Sequence, residues 1–152
     1  MNIQTPASSV GRPVSHVARV LVVDDEKSIR LTLRTFLQDR GYEVETADDA
    51  TQAQALLSRD AYDVVVSDII LPGVSGVELL KAIRAAAPAA QVIMMTGEPA
   101  VETAAEAVRA GASDYLTKPV AKAAVLRSVA NAIRLKAIDV VRPRAARTRS
   151  FF

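Results

Sequence analysis

The 152-residue chain has no cysteine, no tryptophan and a single histidine, His16. Without cysteine a disulfide-stapled extracellular scaffold is excluded, and with one histidine a zinc or other soft-metal site lacks its usual ligands. A domain of this length buries roughly two thirds of the surface that its unfolded chain exposes, which is enough for a hydrophobic core that needs no disulfide or metal to stabilise it. The first eighteen residues lack the apolar run of a signal peptide, and no later run has the length of a membrane span. We therefore expect a soluble cytoplasmic protein that does not associate with membranes.

A strong charge of either sign is also missing from the centre of the chain. The formal net charge of +2 comes from five arginines outside residues 19–137, where the only acid is Asp139. The remaining 14 basic and 16 acidic residues give the central segment a net charge of −2. A basic nucleic-acid-binding face is not indicated, so we expect no direct binding to nucleic acid.

Short apolar segments alternate five times with amphipathic segments of helical period. The predicted strands are 19–23, 43–46, 64–67, 91–95 and 113–117. The predicted helices are 26–40, 49–59, 75–87, 101–110 and 121–137. The second strand is more polar than the others, which suits an edge of the sheet. This order predicts an α/β fold with five βα units, a doubly wound, five-stranded parallel sheet.

The two ends of the chain lack any such period. Residues 1–17 are mixed and polar, and residues 138–152 are basic, so we expect both to be disordered and the folded domain to span 18–137.

Polar residues stand directly after the predicted strands, where open parallel sheets place their ligand sites. Asp24, Asp25 and Glu26 follow the first strand, and Asp68 follows the third. Thr96 follows the fourth strand and Lys118 the fifth. Taken singly, an aspartate or threonine after a strand commonly caps the next helix. Helix capping does not explain two adjacent acids that face a third acid and a lysine.

Converging carboxylates repel one another, and each is pushed toward its neutral form unless a cation compensates. Mg²⁺ prefers oxygen ligands and is typically held by one or two carboxylates together with a phosphate oxygen. Asp25 and Asp68 fit that description, so we expect a Mg²⁺ or Mn²⁺ site.

Four sequence segments together carry a resemblance to a known family. Read in order, VLVVDDE, SDIILPGVSG, MMTGE and DYLTKP resemble the response-regulator receiver domain of two-component signalling, over about residues 18–137. The spacing from Asp68 through Pro72 to Gly76 is moderately specific alone, and it is highly specific together with the acid pair, Thr96 and Lys118. The resemblance implies the flavodoxin-like receiver fold.

The resemblance also implies the roles of the site residues. Asp68 would be the phosphoacceptor, attacking a phosphohistidine of a sensor histidine kinase or phosphotransfer protein. Lys118 would pair with the phosphoryl group and Thr96 would donate a hydrogen bond to it. The metal would be bound by the carboxylates of Asp25 and Asp68, by the backbone carbonyl of Ile70, and by Asp24 through water. The domain would catalyse only its own phosphorylation and dephosphorylation.

Signalling in the family requires a second conformation. Thr96 would move toward the phosphoryl group and Tyr115 would swing inward, shifting the population toward an active state. The Lys118-Pro119 peptide bond is expected to be cis, as it often is in the family.

Residues near the phosphoacceptor that vary within the family bear on the lifetime of the phosphoryl group. Ile70 offers no side chain to orient an attacking water, and Glu98 lies two residues after Thr96. We expect an aspartyl phosphate of moderate persistence. Gly97 leaves room for the donor, or it reflects simple turn geometry.

The sequence says less about how the domain would pass on its signal. Fifteen residues follow Ala137, too few for a DNA-binding module, so we expect a stand-alone receiver or a fragment of a longer regulator. Partner choice is attributed in the family to the first helix, around 27–34. A homodimer is expected through the fourth helix, fifth strand and fifth helix. The last helix carries a second apolar line available for pairing, namely Val125, Ala132, Leu135 and Ile138.

Three rival classes remain. An aspartyl phosphatase usually has a second acid two residues after its nucleophile, where Ile70 stands. A dinucleotide-binding domain requires a glycine-rich turn after the first strand, where this chain has Asp-Asp-Glu-Lys. A phosphorylation-independent interaction module with the same fold stays open.

Overall fold

The computed structural model of the chain describes residues 17–98 and 101–141. Its main sheet contains β1 (Arg19–Val23), β2 (Glu43–Ala47), β3 (Val64–Asp68), β6 (Gln91–Thr96) and β7 (Asp114–Thr117). A two-stranded hairpin adds β4 (Ile70–Leu71) and β5 (Val74–Ser75). The helices are α1 (Lys27–Asp39), α2 (Ala50–Arg59), α3 (Gly76–Ala86), α4 (Val101–Arg109) and α5 (Lys122–Val141).

The main sheet is parallel throughout, and its strand order is β2-β1-β3-β6-β7. This arrangement confirms the predicted five-stranded α/β fold and the edge position of β2. The central strands β1 and β3 are almost continuously buried because helices cover both faces, which explains their runs of valine. In β2 the exposure of the residues varies along the strand, as expected at an edge.

Alternate residues of the strands point into two separate cores. Leu21, Val23 and Val65 pack with apolar residues of α2, α3 and α4 on one face. Val20 and Val22 pack with apolar residues of α1 and α5 on the other. The two-residue period of the strands therefore distributes the helices between the faces, and the loops at the carboxyl edge lie between the layers.

The prediction of a second exposed apolar line on α5 is wrong for two of its residues. Val125 and Ala132 are buried in the core that α5 shares with α1, because a helix lying across a sheet buries a wide stripe. Leu135 is 46% exposed, and the side chain of Ile138 lies outside the described residues. The free apolar surface of this helix is thus smaller than the sequence indicated.

The boundaries of the elements follow the predictions within one residue, with one difference. Helix α5 continues to Val141, four residues beyond its predicted end. The predicted disordered segments lie outside the described residues, apart from Val17 and the last turn of this helix. Within the described residues, no helix combines the length and apolar character that a membrane crossing requires.

The hairpin of β4 and β5 was not predicted. Pro72 and Gly73 form its turn, and Gly73 has a φ of +82°, which suits the third position of a type II turn. Ser75 then caps α3: its hydroxyl accepts a hydrogen bond from the Glu78 N–H (3.1 Å), and the Glu78 carboxylate accepts one from the Ser75 N–H. The chain leaving β3 is therefore fixed as far as the start of α3.

Candidate functional site

The carboxyl ends of four neighbouring strands deliver the predicted site residues to one edge of the sheet. Asp24 follows β1, and Asp68 and Thr96 are the last residues of β3 and β6. Lys118 follows β7, and its N–H donates to the Thr96 carbonyl (2.7 Å), which continues the sheet by one residue. The parallel register brings these ends to the same height because Asp68 lies beside Met95 and Thr96 beside Thr117.

The ammonium group of Lys118 is surrounded by carboxylates. Its Nζ lies 2.7 Å from Asp24 Oδ2 and 2.8 Å from Asp68 Oδ2. A third carboxylate, that of Glu26, is 3.7 Å away and is largely exposed. Lys118 therefore links the ends of β1 and β3 across the mouth of the site. The Lys118-Pro119 peptide bond behind it is cis, as expected.

These contacts change the pKa of Lys118. Burial alone would lower the pKa, since it disfavours the charged ammonium group. Hydrogen bonds and charge attraction from Asp24 and Asp68 outweigh burial, so the pKa lies above its ordinary value. Lys118 is therefore a permanent cation of the site at neutral pH.

Asp24 is fully buried, unlike its exposed neighbour Asp25. Burial raises the pKa of Asp24 above its ordinary value, although the contacts with Lys118 and the Glu26 N–H act in the opposite direction. The Glu26 N–H donates to Asp24 Oδ1 (2.9 Å), which closes a tight turn between β1 and α1. The negative charge of Asp24 thus depends on the cation beside it.

Both oxygens of the Asp68 carboxylate have partners. Oδ1 accepts the Ile70 N–H (3.0 Å) and Oδ2 accepts from Lys118. The hydroxyl of the buried Ser67 donates to the Asp68 backbone carbonyl (3.0 Å). Asp68 is itself buried except for a small opening, so its side chain is held in one orientation at the bottom of the site.

Three of the carboxylates fit a divalent cation. One oxygen from each of Asp24, Asp25 and Asp68 lies within 4.8 Å of the other two. Such an all-oxygen set suits Mg²⁺ or Mn²⁺, and the exposure of Asp25 leaves one side open to water or to a phosphoryl oxygen. The cluster therefore contains the three carboxylates named in the predicted metal site, and the binding of a metal ion by them stays a prediction.

The two predicted switch residues lie on the β6 and β7 side of the site. The Thr96 side chain is fully buried, and its hydroxyl oxygen accepts the Glu98 N–H (3.0 Å). Tyr115 packs against the core beneath α4, and its hydroxyl is enclosed with no hydrogen-bond partner among the described residues. An enclosed hydroxyl differs from the water-exposed position that is ordinary for a half-buried strand tyrosine.

Two contacts of the site were missed by the sequence analysis. Glu26 was seen only as an acid after β1, and nothing in its spacing revealed that it approaches Lys118. Arg30, on the first turns of α1, donates from Nη1 to the Asp24 carbonyl (2.7 Å). Its position six residues after Asp24 on an amphipathic helix gave no sign of this contact.

Comparison with known proteins agrees with this geometry. The family model described as the response regulator receiver domain matches residues 20–130. The alginate biosynthesis transcriptional regulatory protein AlgB of Pseudomonas putida is 44% identical over 101 residues, which are 66% of this chain and 22% of that protein. This chain thus spans about a fifth of the length of that relative.

Solved structures show the same fold. A CheY-like receiver domain protein from Methanospirillum hungatei has a TM-score of 0.78 at 30% identity, covering 82% of this chain and 99% of that chain. A response regulator from Burkholderia pseudomallei, with a phosphorylated aspartic acid, a calcium ion and citrate, has a TM-score of 0.71 at 30% identity. That match covers 82% of this chain and 74% of the other.

Proposed function

This chain belongs to the response regulator receiver domain family, and on that premise we propose that it accepts a phosphoryl group on Asp68. The donor is a phosphohistidine of a sensor histidine kinase or of a phosphotransfer protein. The observation that carries the proposal is the position of Lys118 Nζ, within 2.8 Å of both Asp24 and Asp68 and beside a three-carboxylate cluster. A buried carboxylate, a fixed cation and a cation site are the parts that phosphoryl transfer requires.

The proposed step is an in-line displacement at phosphorus. A carboxylate oxygen of Asp68 forms a bond to the phosphorus while the bond from phosphorus to the histidine nitrogen breaks, and the nitrogen keeps the electron pair. The ring carries a proton on its other nitrogen, so it leaves as a neutral imidazole, and the second product is an aspartyl phosphate. The hydrogen bond from the Ile70 N–H to Asp68 Oδ1 holds the carboxylate in place during this exchange.

Lys118 supplies positive charge where the phosphoryl oxygens gather. Its pKa is raised, so it stays protonated and can exchange a contact with Asp68 for one with a phosphoryl oxygen. Thr96 is proposed to donate its hydroxyl proton to another phosphoryl oxygen, which requires the hydroxyl to turn toward the site. In the structure its oxygen accepts from the Glu98 N–H, and an accepting oxygen still has its own proton to donate.

The cation is proposed to be held by Asp25, Asp68 and the backbone carbonyl of Ile70, with Asp24 acting through water. When bound, Mg²⁺ or Mn²⁺ neutralises charge on the transferring phosphoryl group. Asp24 has a second proposed role, since its buried carboxylate contacts Lys118 and keeps the ammonium group close to Asp68.

Signalling is proposed to follow from a shift in population between two arrangements of the residues at the β6 and β7 side of the site. Phosphorylation would draw the Thr96 hydroxyl toward Asp68, and Tyr115 would change its packing beneath α4. The Tyr115 hydroxyl is enclosed and has no hydrogen-bond partner among the described residues. This supports the proposal, because an arrangement that gives the hydroxyl a partner would be favoured.

The partner is proposed to dock beside Lys118. A groove of about 190 Å³ lies between α1 and the segment after β7, lined by Ser28, Ile29, Thr32, Leu33, Lys118, Pro119 and Val120. The groove includes residues of the segment 27–34, to which the choice of partner kinase is attributed in this family. Because phosphohistidine is made from ATP, the cytoplasm is the proposed location.

The wider role of the protein is proposed from its relatives. AlgB is a transcriptional regulatory protein much longer than the matched segment, so this chain acts either alone or as the receiver of a longer regulator. A homodimer through α4, β7 and α5 is part of the proposal.

Intact mass spectrometry tests the proposed function directly. The chain is incubated with Mg²⁺ and a small-molecule phosphodonor, beside Asp68→Asn and the control Asp48→Asn, which changes an exposed acid at the end of β2. We expect one acid-stable, base-labile phosphoryl adduct on the wild type and on Asp48→Asn, and none on Asp68→Asn. No adduct on a folded wild type that binds Mg²⁺ would favour the phosphorylation-independent interaction module.

A further inference from the structure

Arg30 forms a contact with the metal-site loop that none of the proposed roles uses. The guanidinium Nη1 donates to the backbone carbonyl of Asp24 at 2.7 Å, and the side chain is half-buried. Arg30 belongs to the first turns of α1, and its own N–H donates to the Glu26 carbonyl (3.1 Å). One residue therefore holds the loop of residues 24–26 at two carbonyl groups.

The Asp24 carbonyl needs such a partner because the sheet ends beside it. The Asp24 N–H makes the last hydrogen bond between β1 and β2, to the Ala47 carbonyl (3.1 Å), and β2 ends at that residue. In a strand the N–H and the carbonyl of one residue point to the same side, so the Asp24 carbonyl faces the space past the end of β2. Arg30 fills this place.

The peptide group that Arg30 holds leads directly to Asp25. Its atoms lie in one plane from the Asp24 Cα to the Asp25 Cα, so fixing the carbonyl fixes the point from which the Asp25 side chain departs. The other side of the loop is fixed by the Glu26 N–H on Asp24 Oδ1. Asp25 itself is exposed, and one oxygen of its carboxylate lies within 4.8 Å of an oxygen of Asp24 and of Asp68.

We propose that Arg30 is a positioning residue that orients Asp25 toward the divalent cation. This inference rests on the proposed metal site. Arg30 touches neither the cation nor the phosphoryl group in the proposal, and it acts only through the peptide between Asp24 and Asp25. Groups that orient metal ligands in this way commonly change metal affinity by tenfold or more when removed.

The direction in which the affinity for Mg²⁺ changes when Arg30 is replaced distinguishes a positioning role from a purely electrostatic one. A cationic guanidinium near the site repels Mg²⁺, so loss of the charge alone would strengthen Mg²⁺ binding. Loss of a positioning contact weakens it. A merely structural hydrogen bond would lower the stability of the fold and leave the affinity for Mg²⁺ unchanged.

The experiment is a calorimetric titration of the full chain with MgCl₂, with thermal unfolding of each variant recorded alongside. Arg30→Met removes the contact and the charge, and Arg30→Lys keeps the charge without the planar fork. The matched control Arg34→Met removes a half-buried arginine one turn further along α1. We expect Arg30→Met to bind Mg²⁺ about tenfold more weakly than the wild type, and Arg34→Met to stay within about twofold.

The outcomes are distinguishable. An Arg30→Met variant that binds Mg²⁺ as well as or better than Arg34→Met overturns the positioning role. If Arg30→Met does not fold, the same comparison is made with Arg30→Lys, for which we expect a smaller loss in the same direction. A wild-type chain that does not bind Mg²⁺ contradicts the proposed metal site itself, and the positioning role fails with it.

Discussion

Gly76 lies so close to Ile69 that a Cβ at position 76 would stand 2.1 Å from the Ile69 carbonyl oxygen. The first residue of α3 thus rests directly on the backbone that leaves Asp68. This close approach gives a physical reason for glycine eight residues after Asp68, the proposed phosphoacceptor, because any side chain there would push the loop and the helix apart.

Replacing Gly76 by alanine is therefore expected to destabilise the fold. Neither Ile69 nor its backbone can move without disturbing Asp68, so we expect a loss of at least about 2 kcal/mol in the free energy of unfolding. Urea denaturation measures it. The control is Gly97→Ala, where the nearest atom to the new Cβ, Lys118 Cβ, is 4.0 Å away. Equal stability of the two variants would contradict this account of Gly76.

Replacing Asp24 by asparagine is expected to stabilise the protein at pH 7 in the absence of a divalent cation. Burial raises the pKa of Asp24 above its ordinary value of 3.8, so the charged form is disfavoured in the folded state. Asparagine keeps an oxygen that can accept the Glu26 N–H, and Lys118 keeps its contact with Asp68.

The pH dependence of the Asp24→Asn effect has a definite sign. Below pH 3.8 the Asp24 carboxyl is neutral in both states and contributes no difference. As the pH rises above 3.8, the unfolded chain loses this proton first, so wild-type stability falls until the pH passes the raised, folded-state pKa. The advantage of Asp24→Asn should grow over this window and then remain constant. Urea unfolding in EDTA from pH 3.5 to 8 tests it, and a less stable variant at pH 7 would refute it.

Addition of Mg²⁺ is expected to stabilise the wild type and not Asp25→Asn. A ligand that binds only the folded state, present at ten times its Kd, contributes about 1.4 kcal/mol. Differential scanning calorimetry with and without MgCl₂ measures the shift in Tm, and EDTA should reverse it. A comparable shift in Asp25→Asn would show that the stabilisation does not depend on this carboxylate.

Replacing Ile70 by asparagine is expected to shorten the life of the aspartyl phosphate several-fold. Ile70 is 57% exposed, so the change costs little packing, and an amide there can orient an attacking water that an alkyl side chain cannot. The control is Val108→Asn on α4, a 64% exposed residue away from Asp68. Loss of the adduct is followed by intact mass over time. A time course that matches the wild type would argue against any role for the Ile70 side chain.

Most of the fold could be predicted because its signals are local. The buried strands appear as runs of valine, isoleucine and methionine, and the helices appear as apolar residues at helical spacing. The hairpin at 70–75 was missed because two-residue strands leave no periodic pattern, although Pro72-Gly73 is a turn signal. The free face on α5 was misjudged at Val125 and Ala132, since the width of a buried stripe depends on what the helix packs against.

The candidate site could be predicted in its residues but not in its contacts. Strand ends identify Asp24, Asp68, Thr96 and Lys118, since parallel topology brings them to one edge. The contacts of Glu26 with Lys118 and of Arg30 with the Asp24 carbonyl depend on side-chain conformations that no spacing encodes. The enclosed hydroxyl of Tyr115 likewise depends on how α4 packs over β7.

The strand order also sets where the domain resists local unfolding. The strand of Asp68, β3, is hydrogen-bonded on both sides, by β1 and β6, whereas β7 pairs only with β6 among the described strands. Opening β3 breaks two ladders and exposes both cores, whereas opening β7 breaks one, so the free energy of opening falls from β3 toward β7. Amide hydrogen exchange should follow that gradient. Asp68 thus belongs to a strand that is held on both sides, whereas Tyr115 lies in an edge strand and Lys118 directly follows it, where local opening costs less free energy.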